Sequence, residues 1–137
     1  MTQTALAFAL VAMLAWGLWA VFADFATRSL APEVAMVVSY VAGIGVAVVY
    51  VLAQGQRPAF SSVGVGYAAL GGLFSGIGAI SYYVALQRGS AGVATTVTAL
   101  YFVVAAVLGV LFLGDSLTTR DAAGIALAVG AVALLST

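Results

Sequence analysis

Apolar residues gather into five runs along the chain, at about Ala5 to Ala23, Val34 to Ala53, Val63 to Leu86, Ala91 to Leu113 and Ala122 to Leu135, and a charge or turn-forming residue stands at every break. Four of these runs reach the roughly 20 residues that a helix needs to cross a hydrocarbon core. The fifth is shorter, but Thr118 is placed to cap a helix with Asp121 three residues on, and a helix begun there has about 18 residues and roughly 27 Å of rise. The pattern therefore predicts five transmembrane helices, over about 4–26, 33–53, 62–87, 91–113 and 119–136. None of the runs alternates with the two-residue period of a barrel strand, and lipid-exposed sheet edges are not tolerated, so the expected class is an all-α membrane protein.

The breaks are short. "DFATRSLAPE" carries Pro32, suited to the first turn of the second helix, "QGQRPAFSS" holds Arg57 and Pro58, and "QRGSAG" and "GDSLTTRD" complete the set. No break has room for a soluble domain, so residues 1–137 read as one membrane domain of helical hairpins. The opening segment "MTQTALAFALVAMLAWGLWAVFADF" lacks the basic leader of a signal peptide, and its apolar run is too long for one, which predicts a retained helix.

Composition sharpens the same picture. With 65% of residues hydrophobic and 6% charged, the chain cannot clothe a water-soluble domain in polar surface, and its solvent is the lipid bilayer. The absence of His and Cys removes the commonest metal ligands, general bases and thiol chemistry. With no buried carboxylate pair either, an enzyme is not expected and no cofactor is implied. Nothing resembles a basic patch, so nucleic acid is not an expected partner.

The charges that remain bear on orientation. Five spans put Arg57 and Arg120 on one side of the membrane and Arg28 and Arg88 on the other, with Asp115 and Asp121 set against Asp24 and Glu33. Orientation follows the Lys/Arg bias of short loops, and here there is none. A tie of such small numbers arises by chance or is broken by the amino terminus. It is also what a dual-topology protein shows, whose chains insert both ways round and pair as an antiparallel homodimer, a ten-helix body with the inverted-repeat plan of many transporters.

The run "ALQRGSAGVATTVTALYFVVAAVLGVLFLGDSLTTRDAAGIALAVGAVALL" resembles the second half of an EamA domain, the five-helix unit of the drug/metabolite transporter superfamily. The features that carry the resemblance are "AL" closing the third span before a small-residue turn, "LG" with an acidic residue and "LT" in the last loop, and Gly124 and Gly130 in the last span. Upstream, Trp16 and Gly17 as "WG" and the proline that opens the second span also fit. Two positions depart from the pattern: Asp115 stands where the family usually has Glu, and Tyr40 where it often has Arg, which puts a family-typical anion contact in doubt. The family typically carries two such units per chain, and this chain carries one. The resemblance implies a carrier of small metabolites or drugs, amino acids and organic cations among the possibilities, in a prokaryotic cell membrane, working as an exporter or facilitator by alternating access. Alternatives are half of a heterodimeric carrier or lipid-precursor flippase, and a non-transporting membrane scaffold subunit.

Sixteen glycines are mostly a packing signal in lipid, where helices associate by close approach; Gly72 to Gly76 is a GxxxG, and Gly124, Ala126, Ala128 and Gly130 give small faces on the last span. Substrate-binding candidates are the amphipathic side chains deep in the spans: Trp16, Tyr40, Tyr82 and Tyr101 lie too far inside for an interfacial aromatic belt. Ser75 lies seven residues before Tyr82 and Thr98 three before Tyr101, helical spacings that put each pair on one face. Together they would wall a pathway for a neutral, zwitterionic or organic-cation solute; separately, each is a hydroxyl bonded inside a packed core. Asp24 is the carboxylate nearest a span's interior and hence the candidate coupling residue, although Arg28 four residues on suits a helical ion pair.

Overall fold

Helix ends in this chain are set by residues that satisfy or forgo terminal backbone bonds. Thr2 accepts the Ala5 N–H at 3.3 Å and starts α1 (Gln3–Thr27). Pro32, which has no N–H to lose, opens α2 (Pro32–Gln54), and Gly55 closes it in the left-handed region at φ 62°, where a side chain would be strained. Ser61 accepts the Gly64 N–H at 3.4 Å at the head of α3 (Ser62–Arg88). Ser90 caps α4 (Ala91–Ala99), which leads through α5 (Tyr101–Leu108) and a π-helical turn (Gly109–Leu113) to α6 (Thr119–Leu135). The computed structural model describes residues 2–55 and 58–135; Arg57, one of the four arginines, lies outside the described residues. Among the described residues there is no strand.

Four helical stretches are long and apolar enough to cross a membrane: Gln3–Thr27, Pro32–Gln54, Ser62–Arg88 and Ala91–Leu113. The fifth helix, α6, begins in a reciprocal cap. Asp121 N–H donates to Thr118 Oγ1 at 3.2 Å, and the Asp121 carboxylate accepts from the Thr118 N–H at 2.9 Å and hydroxyl at 2.6 Å. At 17 residues α6 is shorter than the other four stretches.

The fourth stretch is not one uninterrupted α-helix. At Leu100 the four-residue ladder gives way to three-residue steps, Leu100 N–H to Val97 O at 3.1 Å and Val103 N–H to Leu100 O at 2.9 Å. No Gly or Pro stands at this step. The preceding "VATTVT" is rich in β-branched residues, and the Thr96 hydroxyl bonds back to Gly92 O at 2.7 Å, both of which weaken and bend a helix. At its far end Gly114 turns left-handed at φ 74°, and the Gly114 and Asp115 N–H groups both reach Gly109 O, widening the last turn. The Asp115 carboxylate folds against Gly109, on the side where a Cβ would project.

The chain divides into two compact units, residues 1–88 and 89–137. In the first, α3 packs against both α1 and α2. Its buried residues are Ala20, Ala23 and Thr27 of α1, Ala35 of α2, and Ala79, Tyr82, Tyr83 and Leu86 of α3, all in the halves of the helices that lead to or from the Arg28–Ala31 turn and Arg88. Toward the other end burial stops: every described residue from 41 to 75 is exposed, as are residues 3–18 except the half-buried Ala12. Exposed Val46, Leu52, Tyr67 and Phe74 suit a lipid surround. In the second unit α4 packs on α6, whose half-buried Ile125, Ala128 and Val132 share one face.

The glycines do less packing within the chain than their number suggests. A Cβ on Gly76 would stand 3.7 Å from Met36 Cε, yet at Gly72, Gly124 and Gly130 nothing beyond the local helix backbone comes within 4 Å of that position. The GxxxG of α3 thus faces a neighbour at one of its two glycines.

Candidate functional site

The first unit holds its polar and aromatic groups where α3 meets the other two helices. Tyr83 is fully buried, at 0% exposure, and its hydroxyl lies 2.6 Å from Ser39 Oγ on α2. Nearby on the same two helices, Tyr40 donates to Ser75 O at 3.0 Å and pairs with Ser75 Oγ at 2.6 Å. Burying a hydroxyl in an apolar setting is costly unless it is bonded, and these pairings satisfy that need across a helix boundary. Among the described residues no buried side-chain nitrogen or oxygen is left unpaired.

Toward α1 the contacts are aromatic. Trp19 stacks on Tyr82 with centroids 5.2 Å apart and planes 23° apart, and meets Tyr83 edge-on at 5.8 Å and 90°. Tyr82 and Tyr83 are T-shaped at 6.4 Å. Ala20, Ala23 and Thr27, all small, are the buried residues of α1. At the end of this seam the Gln87 amide donates to Thr27 O and Leu30 O, both at 3.3 Å, so α3 closes the open carbonyls at the end of α1.

Among the six sequence candidates, the structure joins Tyr40 to Ser75. Tyr82 is buried in the aromatic seam, whereas Ser75 is exposed and bonded to Tyr40. Trp16 is 61% exposed, one turn before Trp19 on the same face of α1 and beyond the end of the buried seam. In the second unit Thr98 is exposed and Tyr101 is 57% exposed, and the step at Leu100 falls between them, so their three-residue spacing does not lie on one continuous α-helix.

Asp24 is engaged. Arg28 Nη2 and Nε reach its Oδ2 at 2.6 and 3.2 Å, and the guanidinium lies over the Phe25 ring, 4.8 Å from its centroid. No group of three acidic residues able to hold a metal occurs among the described residues.

Trp19, Ser39, Tyr83 and Gln87 are the residues that sequence reasoning passed over. Three of them are close neighbours of candidates: Ser39 beside Tyr40, Tyr83 beside Tyr82, Trp19 three after Trp16. Depth in a span does not tell how many neighbouring residues the packed face takes in: Tyr82 and Tyr83 are both buried, and Ser39 and Tyr40 both half-buried. The stripe of Ala20, Ala23 and Thr27 is the signal that could have told it, since large rings on one helix need small residues opposite.

The arrangement can offer hydroxyls, ring faces and apolar walls, with no ionised group deep in a helix. A family model described as the EamA-like transporter family matches residues 3–137. No curated protein and no solved structure matches the chain.

Proposed function

We propose, from the premise that this chain belongs to the EamA-like transporter family, that it moves a small uncharged, zwitterionic or organic-cation solute across a membrane by alternating access. The observation that carries this reading is the family match over residues 3–137, nearly the whole chain. The deep hydroxyl and aromatic groups support this solute class, with Trp16, Tyr40, Ser75 and Tyr82 as candidates in the first unit and Thr98 and Tyr101 in the second, and no mid-span charge competes for a counter-ion.

The match covers residues 3–137, which we read as one five-helix unit with α6 as the fifth crossing, and a full inverted-repeat carrier needs two. An antiparallel homodimer supplies the second, and the even split of the arginines allows one sequence to insert both ways round. The Asp24–Arg28 pair supports a facilitator, because an acid already held by a neighbouring arginine is poorly placed to carry protons with the solute.

The test is counterflow in proteoliposomes with a panel of neutral, zwitterionic and quaternary-ammonium solutes, beside reporters fused to the carboxyl end. Accumulation of one class, with reporters on both sides of the membrane, supports the reading. Saturable transport of none of the classes overturns the carrier, and a single fixed orientation that added lysines beside Arg57 or Arg88 cannot alter overturns the homodimer.

A further inference from the structure

Ser and Thr side chains in a helix commonly donate to their own backbone, as Ser81 does to Ile77 O at 2.8 Å and Thr96 to Gly92 O at 2.7 Å. Ser75, midway along α3, reaches instead across to Tyr40 of α2, and the two hydroxyl oxygens lie 2.6 Å apart. The Tyr40 hydroxyl has a single proton and gives it to Ser75 O at 3.0 Å, so the bond between the hydroxyls is made with the proton of Ser75. Both protons are then spent inside the pair. What remains to face outward is lone pairs alone, on Ser75 Oγ and on Tyr40 Oη.

These oxygens can be reached. Ser75 is exposed and Tyr40 half-buried. One turn from each, Gly43 on α2 and Gly72 on α3 bring no side chain, and nothing beyond the local helix backbone comes within 4 Å of either Cβ position. The other hydroxyl pair between these helices, Ser39 with Tyr83, is closed by contrast, since Tyr83 is fully buried. An open polar pair midway along a span is costly against lipid tails and calls for a polar partner.

From this bonding we infer that the Tyr40–Ser75 pair holds the solute, and that the group it takes is an ammonium bearing N–H bonds. A group with donors and no acceptors is the complement of a site with acceptors and no donor to spare. A carboxylate finds no proton there, and an amide or alcohol leaves its own acceptor unmet. A quaternary ammonium carries charge but has no N–H to place on the oxygens. Uncharged oxygens suffice for a cation, because they replace part of its hydration shell, as backbone carbonyls do in cation channels. That the bound amine is cargo rests on the carrier reading above; the match of acceptors to N–H groups rests on the bonds themselves.

The test measures binding apart from transport. The full chain in lipid nanodiscs is titrated at neutral pH with phenethylammonium, with its N,N,N-trimethyl counterpart and with phenylpropionate. Phenethylammonium should bind about tenfold more tightly than the trimethyl compound, the effect of one hydrogen bond from a charged donor, and phenylpropionate should not displace it. Ser75→Ala should erase the preference, Ser75→Thr, which keeps the hydroxyl, should retain it, and Ser81→Ala should leave it unchanged. Equal affinity for the two cations, no binding of phenethylammonium, displacement by phenylpropionate, or a preference that survives Ser75→Ala overturns the assignment. The comparison of the three compounds on the unmodified chain stands even if a variant fails to fold. Counterflow of the same compounds separates this inference from the reading it rests on. A chain that moves solutes without preferring N–H groups remains a carrier and loses this site, and a chain that binds with the preference but moves nothing keeps the site and loses the carrier.

Discussion

The two ends of the α1–α3 unit are made of similar residues and are held very differently. Around the Arg28–Ala31 turn and Arg88, small residues of α1 and α2 and large rings of α3 are buried together in one unit, and the polar side chains of Ser39, Tyr83 and Gln87 each reach a second helix or its end. Around Gly55 the helices are as apolar and as rich in small residues, yet nothing is buried among the described residues. What separates them is pairing of large with small and of donor with acceptor, which hydropathy does not register. In lipid, where apolar burial between helices gains little over burial in lipid tails, such matched pairs decide which parts of a bundle are fixed.

Substitutions at the two ends should divide accordingly. Tyr83→Ala removes a buried ring and strands Ser39, and large aromatic truncations of this kind cost about 3–5 kcal/mol. Tyr67→Ala, at 74% exposure on the Gly55 side, should stay within about 0.5 kcal/mol. Reversible unfolding in mixed micelles measures both, and equal losses would erase the distinction between the ends.

A smaller contrast isolates the hydrogen bonds. Ser39→Ala leaves the fully buried Tyr83 hydroxyl without its partner, a loss of about 1–3 kcal/mol, while Ser81→Ala, which removes a local bond to Ile77 O at 2.8 Å from an exposed residue, should cost under about 1 kcal/mol. If Ser81→Ala proves the more damaging, the cross-helix bonds are not what fixes this end.

Backbone strain tests the free end by itself. Gly55→Ala forces a side chain into the left-handed region and should destabilise by about 1–2 kcal/mol, whereas Gly45→Ala, with open space around it, should be neutral or slightly stabilising through helix propensity. A large loss at Gly45 would mean that something occupies that space.

The smallest effect is expected at Asp24. Its pair with an exposed Arg28 contributes a few tenths of a kcal/mol at most, and Asp24→Asn should leave solute uptake equally indifferent to an imposed pH gradient. Proton-driven accumulation abolished by Asp24→Asn would make that acid the coupling residue.

How much of this was legible in advance follows from how local each cause is. The starts of α2 and α6 could be read from Pro32 and from Thr118 with Asp121, because a cap is settled within four residues. The all-helical, apolar class follows from the runs themselves. The step at Leu100 could not be read, since it depends on the summed weakness of "VATTVT" and one back-bonded threonine rather than on a Gly or Pro. Among the candidate site residues, Tyr40 with Ser75 is a cross-helix pair whose partners are far apart in sequence; depth in the span drew attention to Tyr40, and Ser75 was singled out for its spacing from Tyr82 rather than for Tyr40. Depth pointed equally to Trp16, which lies one turn beyond the buried seam, and missed Trp19 and Tyr83, because where packing begins and ends along a nearly uniform apolar helix is set by what lies opposite.

The Gln87 amide spans 60 residues of sequence to reach Thr27 O and 57 to reach Leu30 O. Chains are made from the amino end, so while α1 and α2 are entering the bilayer the carbonyls that close α1 have no protein partner of this kind, and they gain one only when the last turn of α3 has been synthesised. The first helix is therefore completed by the third. Assembly on the ribosome should pass through a stage in which α1 remains exchangeable with the insertion machinery until Gln87 has entered the membrane, and a chain stalled before that point should be extracted far more readily than one stalled just after it.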